Sequence, residues 1–186
     1  MILPIYTYGQ PVLRKAAEDV TPDYPDLKEL IANMFETLTA SDGVGLAAPQ
    51  VGLSLRLAVI DLDVISDDAP QYKGFRRAYL NPTIVEADTS DTEVMEEGCL
   101  SLPGIHEPVR RPKRIRVTYL DEQFEPHDEW VDDFLARVMQ HEFDHLEGHV
   151  FTDRLSPLRR QMVKGKLQSL LKGQVRCSYK VKVPRK

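Results

Sequence analysis

The apolar positions of the chain recur with two periods, and the periods change at identifiable breaks. Leu27, Leu30, Ile31, Met34, Phe35 and Leu38 follow helical spacing, with Pro25 suited to the first turn and Asp42-Gly43 as the stop. A shorter helical face comprises Val12, Leu13 and Ala16, after Gln10-Pro11. Residues 55–62 hold the apolar run Leu57, Ala58, Val59 and Ile60, which predicts a buried strand. The polar stretch 63–73, with Asp67-Asp68 and Pro70, predicts a surface loop. Strands are expected at 78–80, 83–85, 92–95 and 115–120, the last alternating Ile115, Val117 and Tyr119 with polar residues. Residues 132–146 carry a long helical pattern that Glu147-Gly148 ends. Ser156-Pro157 supplies a cap and a first-turn proline for a last helix that stops at Gly173, and 175–183 alternates weakly, as a terminal strand would. The sum is an α+β fold: one domain, a central helix surrounded by short mixed and antiparallel β-sheets, and a C-terminal helix. Residues 1–157 read as its main body and 158–186 as a basic helix and tail of the same domain.

Composition narrows the class. A chain of 186 residues, 42% hydrophobic and 28% charged, suits one soluble domain with a real core. No apolar run approaches the roughly 20 residues that a bilayer requires. Residues 1–10 lack the basic-then-apolar pattern of a secretory signal, so the expected location is cytoplasmic, with no membrane partner. A disulfide between Cys99 and Cys177 is not expected in such a compartment. The net charge of −5 is unevenly divided: residues 154–186 hold eleven of the 24 basic residues and none of the 29 acidic ones, leaving −16 on the first 153. A basic tail on an acidic body fits a polyanionic partner; the plain alternative is a solvated helix face with a loose end.

The strongest chemical signal is His141-Glu142-Phe143-Asp144-His145, an H-E-x-x-H pattern within the predicted 132–146 helix. Four residues apart, His141 and His145 share a helix face, about 6 Å apart along the axis, and can chelate one metal. Glu142 lies within reach of a water beside that metal. Phe134, Leu135, Val138, Met139, Phe143 and Leu146 surround the motif with apolar residues and argue for burial, where unpaired His and Glu are costly. A catalytic metal usually takes a third protein ligand. His149 fails on geometry, being about 12 Å along the axis from His141. His106 and His127 stay open on spacing alone. Cys99 follows a predicted strand and offers a thiolate, although a buried apolar role is equally common for free cysteine.

Three motifs, in this order, carry a family resemblance: Gly43-Val44-Gly45-Leu46-Ala47-Ala48-Pro49-Gln50, then Glu97-Gly98-Cys99-Leu100-Ser101, then Gln140-His141-Glu142-Phe143-Asp144-His145. Together they resemble the peptide deformylases, over about residues 5–157, with Pro11-Val12-Leu13-Arg14 and Asn81-Pro82 included. The resemblance implies a metal-dependent hydrolase that removes the N-formyl group from N-formylmethionine at the start of new polypeptides, releasing formate. It implies Cys99, His141 and His145 as metal ligands and Glu142 as general base and then acid. It also implies Gln50 and the backbone N–H of Leu100 as oxyanion donors. The family generally works with Fe2+, and Zn2+ or Ni2+ can occupy the site; the donor types alone do not choose. Gly43 and Gly45 would let an extended peptide approach as an added strand. Val44, Leu100, Phe134 and Val138 would wall the methionine pocket, with Arg137 bordering it through its aliphatic stem. Glu97 would pair with Arg111 to hold the cysteine loop. Asp132-Asp133 stands where the family often has a glycine, a change expected in helix entry and not in chemistry.

Two rivals remain at this level: a zincin-type peptidase, which would want its third ligand downstream of His145, and a metal-free RNA- or ribosome-binding protein. For the tail, docking to ribosomal RNA is the expectation, with the chain itself a monomer. Leu158, Met162, Leu167, Leu170 and Leu171 would face inward, and Arg159, Arg160, Lys164, Lys166 and Lys172 outward. On this reading, removal of the residues after Gly173 leaves hydrolysis of a short formyl-Met peptide intact.

Overall fold

The computed structural model describes residues 1–184; Arg185 and Lys186 of the basic tail lie outside the described residues. In chain order the elements are β1 (Ile5–Tyr6), α1 (Leu27–Ala40), β2 (Gly45–Ala47), β3 (Leu57–Asp61), β4 (Arg76–Ala87), β5 (Thr92–Gly98), β6 (His106–Pro112), β7 (Ile115–Leu120), β8 (Pro126–Val131), α2 (Asp133–Leu146), α3 (Pro157–Leu171) and β9 (Val181–Lys182). Short 3-10 turns join several of them, including two, Asp63–Ile65 and Pro70–Tyr72, inside the predicted loop.

The five-stranded sheet runs β2-β3-β4-β7-β8, antiparallel throughout. All five residues of β3 are buried because both faces are covered. Leu57 and Val59 pack with Ile31, Met34, Phe35 and Leu38 of α1. Ala58 and Ile60 pack with Ala136, Met139, Phe143 and Leu146 of α2. The continuous apolar run of β3 is thus the signature of a strand between two helices. From Ala136 to its end α2 is wholly buried, which makes it the central helix of the domain.

Where prediction and structure differ, local chemistry explains the difference. β4 is one strand of 12 residues, not two. Its register shifts between Leu80 and Thr83, where Asn81 takes a φ of 50°. The Asn81 amide accepts from Val20 N at 2.7 Å and donates to Val20 O at 3.0 Å, so the bulge is clamped and the strand continues past Pro82. β6 escapes prediction because it contains Pro108 and Pro112, and β8 because it is a polar edge strand. β5 and β6 form a separate two-stranded sheet, and β1 and β9 a short parallel pair. Pro25 lies ahead of α1, whose N-cap is Asp26, and is not in its first turn. Ser156 caps α3 as expected, its Oγ accepting from Arg159 N, and Gly173 follows the helix at a φ of 73°. The inward face of α3 matches the expected one in part: Leu170 is buried and Leu167 packs beside it, Val163 joins them, and Leu158, Met162 and Leu171 stay exposed.

Candidate active site

The site forms where β2, the turn after β5 and α2 converge. His141 and His145 project from the same face of α2, their rings 5.3 Å apart. The turn after β5 brings Cys99 to them, with Sγ 3.3 Å from His145 Nε2. The donor atoms of Cys99, His141 and His145 all lie within 4.8 Å of one another. A tetrahedral ion with Zn–S and Zn–N lengths of about 2.3 and 2.0–2.1 Å separates such donors by about 3.5 Å, so the set fits one first-row divalent metal. The third donor lies upstream on a different element, where helix spacing could not find it. His149 is exposed and stands 3.8 Å from Asp153, and His127 stacks on Tyr119 at 4.9 Å; neither belongs to the set. His106 lines the cleft without joining it.

The surroundings orient these donors. His141 Nδ1 donates to Glu97 Oε1 at 2.8 Å, which leaves Nε2 for a metal. Glu97 also accepts from Arg111 Nε and Nη2 at 2.6 and 2.9 Å and from Arg137 Nη1 at 2.8 Å. Asp144 accepts from Arg111 Nη1 at 2.9 Å and is gripped by Arg154 through both carboxylate oxygens. Burial alone would raise the Glu97 carboxyl; hydrogen bonds from His141 and Arg111 outweigh it and hold the group ionised. Burial lowers His145 to about 3, so its ring is neutral, the form that binds metal. Burial also opposes charge on His141, but the Cys99 and Glu97 contacts win and raise it; a metal at Nε2 displaces that proton. The Glu97–Arg111 pair anticipated from sequence is present, within a five-residue network that sequence does not reveal.

Glu142 faces the same cleft, and burial pushes its carboxyl up to about 7, near the range useful to a general base. Its Oε2 is buried with no protein partner. A Cβ on Gly45 would sit 2.5 Å from Glu142 Oε1, so glycine there makes room for the carboxylate. Gln50 is fixed by Ala47 N, which donates to its Oε1 at 2.9 Å, and its Nε2 points to Ser101 Oγ at 3.2 Å and Cys99 Sγ at 3.5 Å. The Leu100 N–H has no hydrogen-bond partner among the described residues. The Cys99 carbonyl of the same peptide accepts from Leu102 N at 2.9 Å, which turns the Leu100 N–H the opposite way.

A cleft of about 460 Å³ opens over these groups, lined by Gly43, Val44, Gly45, Leu100, Phe134 and Val138 among others. Every residue that the sequence nominates for the site borders this cleft except His145 and Arg111, which lie behind its lining. Arg137 borders it too, but its guanidinium is committed to Glu97, Val109 O and Glu93 O.

A profile of the polypeptide deformylase family matches residues 2–161. The chain belongs to that family. A peptide deformylase of Flavobacterium psychrophilum is 44% identical over 194 aligned positions, covering 100% of both chains. The crystal structure of a peptide deformylase from Legionella pneumophila, 39% identical, superposes with a TM-score of 0.80 over 96% of this chain and 100% of that one. The crystal structure of the peptide deformylase from Thermus thermophilus, 38% identical, gives 0.82 over 94% and 100%. The chain is therefore a deformylase, a metal-dependent hydrolase, and both rival readings fall. Among its described residues no helix is long and apolar enough to cross a membrane.

One departure from the family pattern acquires a physical meaning. Asp133, in the pair that stands where the family often has glycine, has a φ of 59°, the left-handed region that glycine enters at no steric cost. The change is one of helix entry, as expected. Sequence reasoning missed Asp144, Arg154 and Ser101, and it missed the segment 176–179, which lines the cleft from the C-terminal side. Asp144 lies inside the H-E-x-x-H motif, but no sequence signal pairs it with Arg154.

Proposed function

We propose that this deformylase hydrolyses the formyl amide of N-formylmethionine at the start of new polypeptides with Glu142 as its proton carrier and Gln50 and Leu100 as its oxyanion donors. The convergence of an unpartnered buried carboxylate and an unengaged N–H on the Cys99–His141–His145 cluster carries this reading. Glu142 takes a proton from the attacking water as oxygen adds to the formyl carbon. Negative charge then develops on the formyl oxygen, where Gln50 Nε2 and the Leu100 N–H donate hydrogen bonds; one pre-placed donor of this kind is worth about 3 kcal/mol. Glu142 returns the proton to the amine nitrogen as the C–N bond breaks, releasing formate and the methionine amine. Cys99, His141 and His145 would hold a divalent ion, which would supply Lewis acidity to the water and the formyl oxygen. We assign Fe2+ as the ion in the cell, with Zn2+ or Ni2+ as substitutes, on the family likeness; the mixed imidazole and thiolate donors accept all three.

The methionine side chain fits among Val44, Leu100, Phe134 and Val138, with the Arg137 stem at the border. β2 is an edge strand, so the peptide can run along its open side past Gly43 and Gly45. Anaerobic purification, metal analysis and a formyl-Met peptide assay on one sample test the whole. Cys99→Ala should lose the metal and nearly all turnover. Glu142→Ala should keep the metal and lose a factor of about 10²–10⁴. Wild-type turnover in metal-loaded Glu142→Ala would remove its role.

For the tail we retain docking of a monomer to ribosomal RNA through the exposed side of α3, with residues 158–186 as the docking part of the one domain. Lys164 and Lys166 are exposed there beside Leu158 and Met162. Charge reversal at both lysines should weaken ribosome co-sedimentation at low salt. Unchanged co-sedimentation would end this assignment.

A further inference from the structure

The residues after α3 do not trail away from the body. β9 pairs in parallel with β1, with Ile5 N donating to Lys180 O at 2.9 Å and Thr7 N to Lys182 O at 3.1 Å. Gln10 Nε2 donates to Val183 O at 2.8 Å, and Lys182 Nζ to Tyr6 Oη at 3.0 Å. This anchor fixes the segment just before it, and Arg176, Cys177, Ser178 and Tyr179 form one wall of the catalytic cleft. Tyr179 is half-buried against the α1 side of the core, and its hydroxyl donates to Leu100 O at 2.8 Å.

That bond falls on the peptide next to the one that carries the Leu100 N–H. The whole turn is held plane by plane. Leu102 N binds Cys99 O, fixing the peptide before Leu100; Tyr179 binds Leu100 O, fixing the peptide after it; and Tyr8 N donates to Ser101 O at 2.8 Å, fixing the next. Two of these three restraints come from the chain termini, which the β1–β9 pair ties together. Without the Tyr179 hydroxyl, the Leu100–Ser101 peptide has no protein partner for its carbonyl among the described residues and can rock about its neighbours. Such rocking misaims the adjacent N–H.

We propose that Tyr179 is a positioning residue of the deformylase reaction, holding the Cys99–Leu100–Ser101 turn so that the Leu100 N–H meets the developing oxyanion. This rests on the assignment of Leu100 as an oxyanion donor. It also changes the reading of the C-terminal segment: residues 174–182 are part of the catalytic scaffold, and the expectation that hydrolysis survives their removal gives way.

Tyr179→Phe in the full-length, metal-loaded chain is the test, because it keeps the ring packing and deletes one hydroxyl. The expected result is a kcat lowered about tenfold with KM within about twofold, since an aim defect acts on the transition state and not on substrate binding. Backbone amide exchange in the peptide spanning 98–102, measured on the metal-loaded chain without substrate, should accelerate. Gln10→Ala, which loosens the β9 anchor at a distance from the cleft, should move both readouts the same way by less. If exchange and kcat both match wild type in Tyr179→Phe, the positioning role is overturned. If exchange accelerates while kcat is unchanged, Tyr179 holds the turn but Leu100 is not an oxyanion donor, and the proposal falls with that assignment.

Discussion

Glu97→Gln isolates the network that holds the proposed metal ligands. The wild-type carboxylate is 7% exposed and accepts four hydrogen bonds: two from Arg111, one from Arg137 and one from His141. Glutamine keeps the shape but offers only one accepting oxygen, and its amide protons face guanidinium groups that can only donate. Arg111, 2% exposed, then has Asp144 as its one carboxylate partner. Removing one member of a buried ion pair costs about 3–5 kcal/mol. The low end applies here, because Arg111 keeps Asp144 and Arg137 keeps Val109 O and Glu93 O. At about 2–4 °C per kcal/mol for a domain of this size, melting should fall by roughly 6–12 °C. Melting is best read on metal-stripped protein, so that lost ion binding does not enter the difference. A second readout is metal affinity, expected to drop about 10–100-fold as His141 loses its fixed orientation. Metal-free Glu97→Gln that melts within about 2 °C of wild type, with unchanged metal affinity, would refute the view that this network braces the site.

Three further outcomes follow from local geometry. Gly45→Ala should retain its metal yet lose most of its kcat, because the new Cβ has to displace Glu142 Oε1 from 2.5 Å; metal analysis beside the peptide assay checks both halves. Asp133→Val should destabilise by about 1–2 kcal/mol, since a β-branched residue is strained at positive φ, whereas Asp133→Gly should not; denaturant unfolding separates the two. Asp153 is half-buried, which favours its neutral form, but hydrogen bonds from Arg14 and Val150 N prevail and its pKa falls below the usual value. Its folded pKa is therefore the lower one, so its contribution is present above about pH 4 and lost as pH falls. The melting curve of Asp153→Asn should accordingly depend less on pH between about 5 and 3.

How much of this was legible beforehand depends on the range of the interaction. Period and punctuation are local, so the α1 stripe, the buried run of β3, the α2 pattern, the Ser156 cap and the Gly173 stop could all be read directly. Strands whose stability comes from partners could not. β6 carries two prolines, β8 is a polar edge and β1 is a two-residue piece, while of the expected terminal strand over 175–183 only Val181–Lys182 forms, because its partner lies at the other end of the chain. The α3 face was read only in part, because hydropathy alone cannot say which side meets the body: Leu167 and Leu170 pack inward, and Leu158 and Met162 remain in solvent.

The site divides along the same line. His141, Glu142 and His145 were fixed by helical geometry within five residues, which any folded helix imposes. The three motifs pointed to Cys99, Gln50 and Leu100 through a family likeness, since no spacing rule joins residues 41 to 91 positions before His141 to the metal helix. Beyond the anticipated Glu97–Arg111 pair, tertiary structure alone decided what surrounds them. Glu97, Arg111, Arg137, Asp144 and Arg154 form one network from four separate segments, because buried charges persist only with partners and the fold must supply them. It likewise decided that a tail of basic and weakly alternating residues returns to β1 and delivers Tyr179 to the Leu100 carbonyl, a contact between residues 79 positions apart that no local pattern encodes.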